Sequence, residues 1–178
     1  KEDLADYSFA GQYDTFLNVQ GVERIADCII ECYKSIFSEV SLSYFINHSI
    51  DMKDIAMAVV VQEMVQSDYS GICFTVNPIT GNDKEMSIEV GKGLGDNLVS
   101  GKVAPEQYFY NWYEKEVSPE NKYGFLTEEQ VGKFGEVFLK IQLLFGYPCD
   151  IEFAYENEIL YILQARAITK ILYGEIKD

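Results

Sequence analysis

Two strand-like runs near the end of the chain constrain the fold more than any other feature. Residues 149–155 and 159–167 alternate apolar side chains with others, and the sequence Glu-Asn-Glu separates them. Alternation with a period of two is typical of strands, and a separator of two to five residues is typical of a hairpin. We take the loop as residues 156–158. The sequence therefore predicts an antiparallel hairpin in which Tyr155 lies opposite Ile159.

Four polar side chains interrupt this apolar hairpin: Asp150, Glu152, Gln164 and Arg166. The predicted three-residue loop sets Asp150 opposite Gln164, so all four lie on one face and the odd-numbered residues of both strands form the apolar face. A two-residue loop would separate the four, because a shift of one residue exchanges the faces. Two carboxylates, an amide and a guanidinium suit a site for Mg²⁺ and phosphate. The alternative is a structural ion pair, such as Asp150 with Arg166, and the hairpin alone leaves both interpretations open.

Other runs predict the rest of a mostly antiparallel sheet. They are rich in β-branched residues and are bounded by Gly, Pro and Asn. A Tyr-rich region around Trp112 is a candidate for one more hairpin. The predicted strands span 57–65, 71–77 and 85–90, and the candidate hairpin lies within 97–125.

Two segments have the apolar spacing of amphipathic helices, which we expect to cover the apolar face of the sheet. The first spans about 21–38. The second spans about 127–145 and carries its own boundary signals, since Thr127 is a good N-cap, Gln130 follows three residues later and Gly146 comes after the last turn. Strands and helices together predict an α+β fold.

The charge balance excludes some partners. The chain has 14 Lys and Arg against 29 Asp and Glu, a net charge of −15, whereas nucleic acids and acidic membranes attract clustered basic residues. The longest strongly apolar run, residues 55–61, is too short to span a bilayer. The four cysteines lack the spacing of a zinc site and are predicted to be buried thiols in a reducing compartment.

Two further segments are weaker candidates for ligand contacts. Residues 9–16 place a glycine where a loop can bring backbone N–H groups close to an anion, although a plain turn also explains them. Residues 62–65 form the end of the strand predicted over 57–65 and could hold an adenine ring through exposed backbone, although the end of a core strand is the simpler interpretation. The glycines at 91, 93 and 95 do not fit G-x-G-x-x-G, and His48 is interpreted as an ordinary loop residue.

Taken in order, six motifs resemble the nucleotide-binding domain of phosphoenolpyruvate synthase and pyruvate phosphate dikinase, which rifampicin phosphotransferases share. They are EDLADYSFAGQYDTFLNV, MAVVVQEMV, SGICFTVNPITG, GLGDNLVSGKVAPEQY, FGYPCDIEF and LQARAIT, and they extend from Glu2 to Thr169. The resemblance implies an ATP-grasp fold, in which ATP lies between two lobes. It implies that residues 1–178 form the C-terminal part of that domain, with residues 1–20 as a phosphate-loop segment and the rest of the first lobe missing from this sequence.

The resemblance also implies roles for individual residues. Glu152 and Gln164 would bind Mg²⁺, Asp150 would support them and Arg166 would contact phosphate, so that Asp150 and Arg166 are the candidate catalytic residues. The adenine hinge would be formed by Gln62, Glu63, Met64 and Val65, and the loop over the phosphates by Gly11, Gln12 and Thr15. Three positions depart from the family pattern: Tyr44-Phe45 replaces a frequent Tyr-Arg, Asp96 replaces Glu, and Ala167 replaces Pro.

The function implied by the resemblance is an ATP-dependent phosphotransferase of the cytoplasm. It would transfer a phosphoryl group from ATP to a histidine on a separate swivelling domain and then to pyruvate, with ATP and Mg²⁺ as cofactors. Its partners would be that phosphohistidine domain and an acceptor-substrate domain, and without the first lobe the chain alone is expected to be inactive. Alternatives are the same half-reaction in a rifampicin phosphotransferase-like enzyme and a non-catalytic nucleotide-binding module.

Overall fold

A computed structural model describes residues 3–4, 7–8, 13–95, 104–119 and 124–168 of the chain. The chain forms two compact units, Lys1–Met64 and Val65–Asp178. The first unit contains a two-stranded antiparallel sheet, two α-helices and one turn of 3₁₀ helix. These elements are β1 (Asp3–Leu4), β2 (Tyr7–Ser8), α1 (Val22–Ser35), α2 (Glu39–Asn47) and the 3₁₀ turn Met52–Asp54.

The helix predicted over 21–38 is confirmed as α1, which ends earlier than expected, at Ser35. Sequence reasoning missed α2. Ser38 begins it, because its hydroxyl accepts a hydrogen bond from the Ser41 N–H at 3.1 Å and so caps the helix. The Ser41 hydroxyl in turn donates to the Ser35 carbonyl at 2.9 Å, which joins the end of α1 to the first turn of α2.

The strand predicted over 57–65 is wrong, since residues 55–67 form neither helix nor strand. Val60 and Val61 are exposed to 80% and 62%. β-propensity describes how well a side chain fits a pleated, half-buried surface, and it yields a strand only where another backbone pairs with the segment. None of the described strands pairs with these residues.

The second unit is built on a six-stranded sheet in which every described pair of neighbouring strands is antiparallel. The α+β fold, the predicted strand at 85–90, the final hairpin and the candidate hairpin within 97–125 are thereby confirmed. The strand predicted over 71–77 exists but spans Tyr69–Phe74, so it ends three residues earlier than expected. The order across the sheet is β6-β5-β4-β3-β7-β8. The strands are β3 (Tyr69–Phe74), β4 (Glu85–Lys92), β5 (Glu106–Asn111), β6 (Glu116–Ser118), β7 (Cys149–Glu156) and β8 (Ile159–Ala167).

One long helix, α3 (Glu128–Phe145), covers one face of this sheet. Its predicted boundary signals are all present: Thr127 and Gln130 form a capping box, and Gly146 ends the helix in the left-handed conformation with φ 77°. The rings of Phe134 and Phe138 contact Phe153 of β7, with centroids 5.8 and 5.2 Å apart. No helix within the described ranges is long and apolar enough to cross a membrane.

Candidate functional site

The turn of the final hairpin is shorter than the sequence predicts. Glu156 lies opposite Ile159, so only Asn157 and Glu158 form the turn, and Tyr155 lies opposite Leu160 rather than Ile159. Both turn residues have positive φ, 49° and 65°. Two-residue turns of this kind match the twist of the flanking strands, which favours them in hairpins even where the second residue is not glycine.

A β-bulge restores the arrangement that the shorter turn would otherwise destroy. Phe153 pairs with Ile162, while Glu152 pairs with Gln164, so Leu163 is an extra residue in β8. The two-residue turn exchanges the faces of β8 relative to the prediction, and the extra residue exchanges them again for the residues beyond Leu163. The result is that Glu152 lies opposite Gln164 and Asp150 lies opposite Arg166, with all four on one face. The prediction that the four groups meet is confirmed, whereas the predicted pairing of Asp150 with Gln164 is wrong.

The prediction of which β8 residues lie on the apolar face is correct beyond the bulge at Leu163 but wrong between the bulge and the turn. Ala165 packs against the core as expected, but nearer the turn it is Leu160 that does so. Leu160 lies opposite Tyr155, and Ile162 lies opposite Phe153, so both share the face covered by α3. Tyr161, which was assigned to that face, lies on the opposite one because it is paired with Ala154.

Asp150 and Arg166 form a close ion pair. The Nε and Nη2 groups of Arg166 both donate to Oδ2 of Asp150, at 2.9 and 2.7 Å. Asp150 is 8% exposed, and hydrogen bonds between charged partners in such surroundings are among the stronger ones. The ion pair that the sequence left open as an alternative is therefore present. It also fixes the plane of the guanidinium on the face that carries Glu152 and Gln164.

The two cysteines near Asp150 have thiols that ionise less readily than a free thiol. Burial, and secondarily the negative charge of Asp150, raise the pKa of the Cys73 and Cys149 thiols above the ordinary value. A protonated thiol is a poor nucleophile and a poor metal ligand. All four cysteines are free; Cys28, Cys73 and Cys149 are buried as predicted, while Cys32 is half-buried.

Glu152 and Gln164 fit a magnesium ion. Residues directly opposite in an antiparallel pair have Cβ atoms about 4.5–5.5 Å apart, so the carboxylate and the amide oxygen can reach one ion. Mg²⁺ usually takes one or two protein ligands and completes its shell with water and phosphate oxygens. Across the ranges that the structure describes, no three His, Cys, Asp or Glu side chains form a metal-binding group. The chain would therefore contribute part of a coordination shell here.

Two more polar residues lie farther across the sheet on the face that carries Glu152 and Gln164, although neither was predicted. Ile72 of β3 lies opposite both Glu152 and Glu89, and Glu89 lies opposite Gln107. Glu89 belongs to the alternation of β4, in which Met86, Ile88 and Val90 are completely buried on the other face. That alternation was visible in the sequence and could have placed Glu89 on the face of the site.

The other predicted contact residues lie mainly in the first unit. Thr15 is exposed, and the residue before it is held to α1, since the Asp14 N–H donates to the Ser35 hydroxyl at 3.3 Å. Gln62 and Glu63 are exposed, Met64 and Val65 are half-buried, and the boundary between the units falls between Met64 and Val65. Gly11 and Gln12 lie outside the described residues.

His48 has the surroundings of an ordinary surface residue. Its Nδ1 atom lies 2.9 Å from the Tyr44 carbonyl oxygen, and its ring stacks on Tyr44 with centroids 4.0 Å apart. His48 is exposed and follows the last residue of α2, so it ends a helix rather than lying in the loop that the sequence predicts.

Comparison with known proteins gives one family match over almost the whole chain. Residues 1–118 and 111–175 match the family described as pyruvate phosphate dikinase, AMP/ATP-binding domain. A probable phosphoenolpyruvate synthase of Methanocaldococcus jannaschii is 34% identical over 98% of this chain. A rifampicin phosphotransferase of Bacillus cereus is 36% identical over 96%, and a phosphoenolpyruvate synthase of Pyrococcus furiosus is 33% identical over 96%. The chain spans 17%, 22% and 25% of the length of these three relatives.

Proposed function

Because this chain belongs to the family of pyruvate phosphate dikinase AMP/ATP-binding domains, we propose that it is the ATP-binding part of a phosphotransferase of the phosphoenolpyruvate synthase type. The observation that carries the proposal is the paired arrangement on the final hairpin. A bulge at Leu163 places Glu152 opposite Gln164 and the Asp150–Arg166 ion pair beside them on one face. The Asp150–Arg166 ion pair alone does not account for the second polar pair, whose carboxylate and amide oxygens are ligands that suit Mg²⁺.

Each of the four residues has a distinct task in this proposal. Glu152 and Gln164 hold Mg²⁺, which would neutralise charge on the ATP phosphates. Arg166 presents its guanidinium to the transferred phosphoryl group, and Asp150 keeps that guanidinium in position through Nε and Nη2. Phosphoryl transfer depends mostly on positioning and charge stabilisation, so an arginine held by a carboxylate is well suited to it.

The adenine and phosphate contacts in the proposal come from the segments that the family resemblance indicates. Residues 62–65 would bind adenine through their backbone, and the loop containing Gly11, Gln12 and Thr15 would close over the phosphates. The domain would have the ATP-grasp fold, with this chain supplying its C-terminal part.

The complete reaction requires groups outside this chain. We propose that the phosphoryl group passes to a histidine on a separate swivelling domain and then to pyruvate, in a cytoplasmic enzyme. The small share of each relative that this chain covers supports further domains in those proteins, although not their identity. His48 is not the acceptor in this proposal, and the chain alone is expected to be inactive.

A second candidate is the same ATP half-reaction with an antibiotic as final acceptor. It is favoured by the similarity to the rifampicin phosphotransferase of Bacillus cereus, whose identity of 36% is slightly above the 34% of the Methanocaldococcus jannaschii synthase. The two candidates differ only in the acceptor. Incubating the proposed full-length enzyme with ATP and either pyruvate or rifampicin, and identifying the phosphorylated product by mass spectrometry, separates them.

The hairpin assignment is tested by two substitutions in the proposed full-length enzyme. Glu152→Gln keeps the size of the side chain and removes its charge, so Mg²⁺-dependent histidine phosphorylation should be abolished, because the metal ion neutralises charge on the phosphates. Arg166→Lys should also lose activity, because an ammonium group cannot reproduce the planar contacts of a guanidinium. Phosphohistidine formation from labelled ATP measures both effects.

Glu158→Gln is the matched control, since Glu158 is an exposed residue of the turn at the far end of the same hairpin. It removes one negative charge and should leave activity within about twofold, because an exposed charge at that distance is strongly screened. Melting temperatures are measured for all three variants. Near-normal activity in Glu152→Gln, or activity lost only through unfolding, would mean that the four residues form a structural network or a non-catalytic nucleotide site.

A further inference from the structure

The exposed hydrophobic side chains of the second unit gather at one end of its sheet. Among the described residues of this unit, eight large hydrophobic side chains are exposed, and six of them lie at the end where β7 begins and β8 ends. They belong to the β3–β4 connector, the β5–β6 turn, the last turn of α3 and the connector that follows α3. These six residues, which we call the apolar end, are Ile79, Tyr113, Leu143, Leu144, Phe145 and Tyr147.

Hydrogen bonds hold the connectors of the apolar end in one arrangement. Asn77, which is 3% exposed, folds the β3–β4 connector, since its side-chain oxygen accepts from the N–H groups of Ile79 and Thr80 at 2.9 and 3.1 Å. The indole N–H of Trp112 donates to the Asp83 carbonyl at 3.0 Å, which joins that connector to the β5–β6 turn. A partner that binds here therefore meets a surface that is already ordered, so the ordering cost of binding is small.

The apolar end lies beside the ion pair of the candidate site. Thr75 follows β3 directly; its N–H donates to the Cys149 carbonyl at 2.9 Å, and its hydroxyl accepts from the Cys149 N–H at 2.8 Å. Asp150 is the next residue of β7, and Arg166 lies opposite it. Three strand spacings separate β5 from β7, so this end of the sheet is only about 15 Å wide between them. A partner seated on the apolar end is therefore adjacent to the Asp150–Arg166 pair.

The charge of this end favours a protein as the partner. The chain has a net charge of −15, yet residues 75–84, 112–115 and 143–148 together contain two acidic and two basic residues, Asp83, Glu114, Lys84 and Lys115. Few charges combined with aromatic side chains are typical of the core of a protein–protein interface, whereas nucleic acids and acidic membranes attract clustered basic residues. Exposed hydrophobic groups that lie together mark such interaction sites.

We propose that the apolar end is the docking surface for the separate domain that carries the phosphoryl acceptor. The acceptor has to reach the Arg166 guanidinium, and the apolar end is the exposed hydrophobic surface beside it. A second copy of this chain fits less well, because a symmetric pair would close the same end of both copies to the acceptor. The chain spans at most 25% of the length of the three relatives, which leaves ample length for such a domain in proteins of that kind. The inference rests on the proposed function, because it takes the acceptor to lie outside this chain.

Site-specific crosslinking in the proposed full-length enzyme tests what meets the apolar end. A benzophenone amino acid replaces Leu144, which is 82% exposed in the last turn of α3. After irradiation, mass spectrometry should find a crosslink to a segment outside residues 1–178, in the domain whose histidine becomes labelled by ATP. The matched control places the same amino acid at Ile159, which is 52% exposed beside the hairpin turn at the other end of the sheet. It should give no crosslink to that domain.

A pair of substitutions tests whether this contact supports the transfer. Leu143→Gln/Leu144→Gln removes two exposed hydrophobic side chains, and glutamine favours a helix about as well as leucine does. Phosphohistidine formation from labelled ATP in a single turnover should slow by about tenfold, a loss typical of removing central interface residues. The affinity for ATP should stay within about twofold. Ile159→Thr removes exposed hydrophobic surface from the other end and should change neither value. Melting temperatures are measured for all variants, and if the double variant is unstable, Leu144→Gln alone carries the test.

Each outcome supports or overturns the inference. A crosslink from position 144 to a second copy of the chain, or to residues 1–178 of its own chain, overturns it, and so does the absence of any crosslink. Unchanged phosphohistidine formation in the double variant overturns it as well, and an equal loss of ATP affinity points to a damaged nucleotide site instead. A wild-type enzyme that forms no phosphohistidine contradicts the proposed function itself, whereas normal formation in both the wild type and the double variant contradicts only the docking surface.

Discussion

At the scale of single residues, the Tyr108 hydroxyl organises the chain just before α3. It donates to Oε2 of Glu106 at 2.6 Å and accepts from the Leu126 N–H at 3.2 Å. The Phe125 N–H donates to the same carboxylate oxygen at 2.6 Å. Tyr108 is 2% exposed. Burial, reinforced by the hydrogen bond to Glu106, raises the pKa of Tyr108 to about 12.

This raised pKa predicts a loss of stability at alkaline pH. A tyrosine ionises near pH 10 in the unfolded chain and only at about 12 in the folded protein. Its contribution is therefore complete below pH 10 and is lost as the pH rises through 12. Tyr108→Phe should lower the free energy of unfolding at pH 8 but should weaken its fall between pH 10 and 12. Urea unfolding of both proteins at several pH values measures this, and parallel pH profiles would contradict it.

Residue chemistry at the site could be predicted from the sequence, whereas residue partners could not. Four polar side chains among apolar strand residues are visible without a structure. Which of them pair depends on the length of the turn and on the extra residue Leu163, and these two features shift the register in ways that compensate. A bulge has no reliable local signal here, because Leu163 resembles its apolar neighbours. Asp150 was therefore placed opposite the wrong residue of β8.

At the scale of elements, the approach of α3 to the sheet depends on a glycine. A Cβ atom at Gly135 would collide with the ring of Tyr110, whereas a Cβ atom at Gly132, one turn earlier, would meet nothing within 4 Å. Gly135→Ala should lower the free energy of unfolding by about 1–3 kcal/mol through overpacking. Gly132→Ala should raise it by roughly 0.5–1 kcal/mol, because alanine favours the helix. Urea midpoints measure both changes, and equal shifts of one sign would contradict the prediction.

The turn of the final hairpin gives a second prediction at this scale. Glu158 has φ 65° and pays a conformational cost that glycine avoids. Glu158→Gly should therefore raise the melting temperature, by the equivalent of about 0.5–1 kcal/mol. Glu156→Gly removes the same charge from a strand residue and should lower it. If both substitutions changed the melting temperature alike, charge rather than backbone conformation would be the cause.

Elements with local signals were predicted best. α3 carries its cap at Thr127 and its stop at Gly146, so both ends could be located from adjacent residues. The run at 57–65 has strand-forming residues but no described partner, and pairing is a non-local property that composition does not report. α2 was missed because its start depends on the Ser38 cap within a serine-rich stretch that resembles a loop.

At the scale of the whole molecule, the excess of negative charge is the main factor that opposes folding which the sequence makes visible. The net charge of −15 is spread over 178 residues, and four of the five ion pairs within the described ranges have largely exposed side chains. Exposed pairs contribute little to stability, typically about 0–1 kcal/mol each. Mutual repulsion among the remaining carboxylates is therefore only weakly compensated, and it opposes the compact state.

Added salt should screen this repulsion and thereby stabilise the folded chain. Raising NaCl from about 20 mM to about 200 mM shortens the Debye length from about 20 Å to about 7 Å and screens repulsion between distant carboxylates more than contacts within ion pairs. The melting temperature should rise by roughly 2–4 °C, the equivalent of about 1 kcal/mol for a chain of this size.

Asp54→Asn/Asp83→Asn removes two exposed charges and should itself raise the melting temperature while reducing its dependence on salt. NaCl is used because a magnesium salt would also occupy the proposed site at Glu152 and Gln164. A melting temperature that falls with NaCl would show that the few ion pairs, the partly buried Asp150–Arg166 pair above all, outweigh the general repulsion.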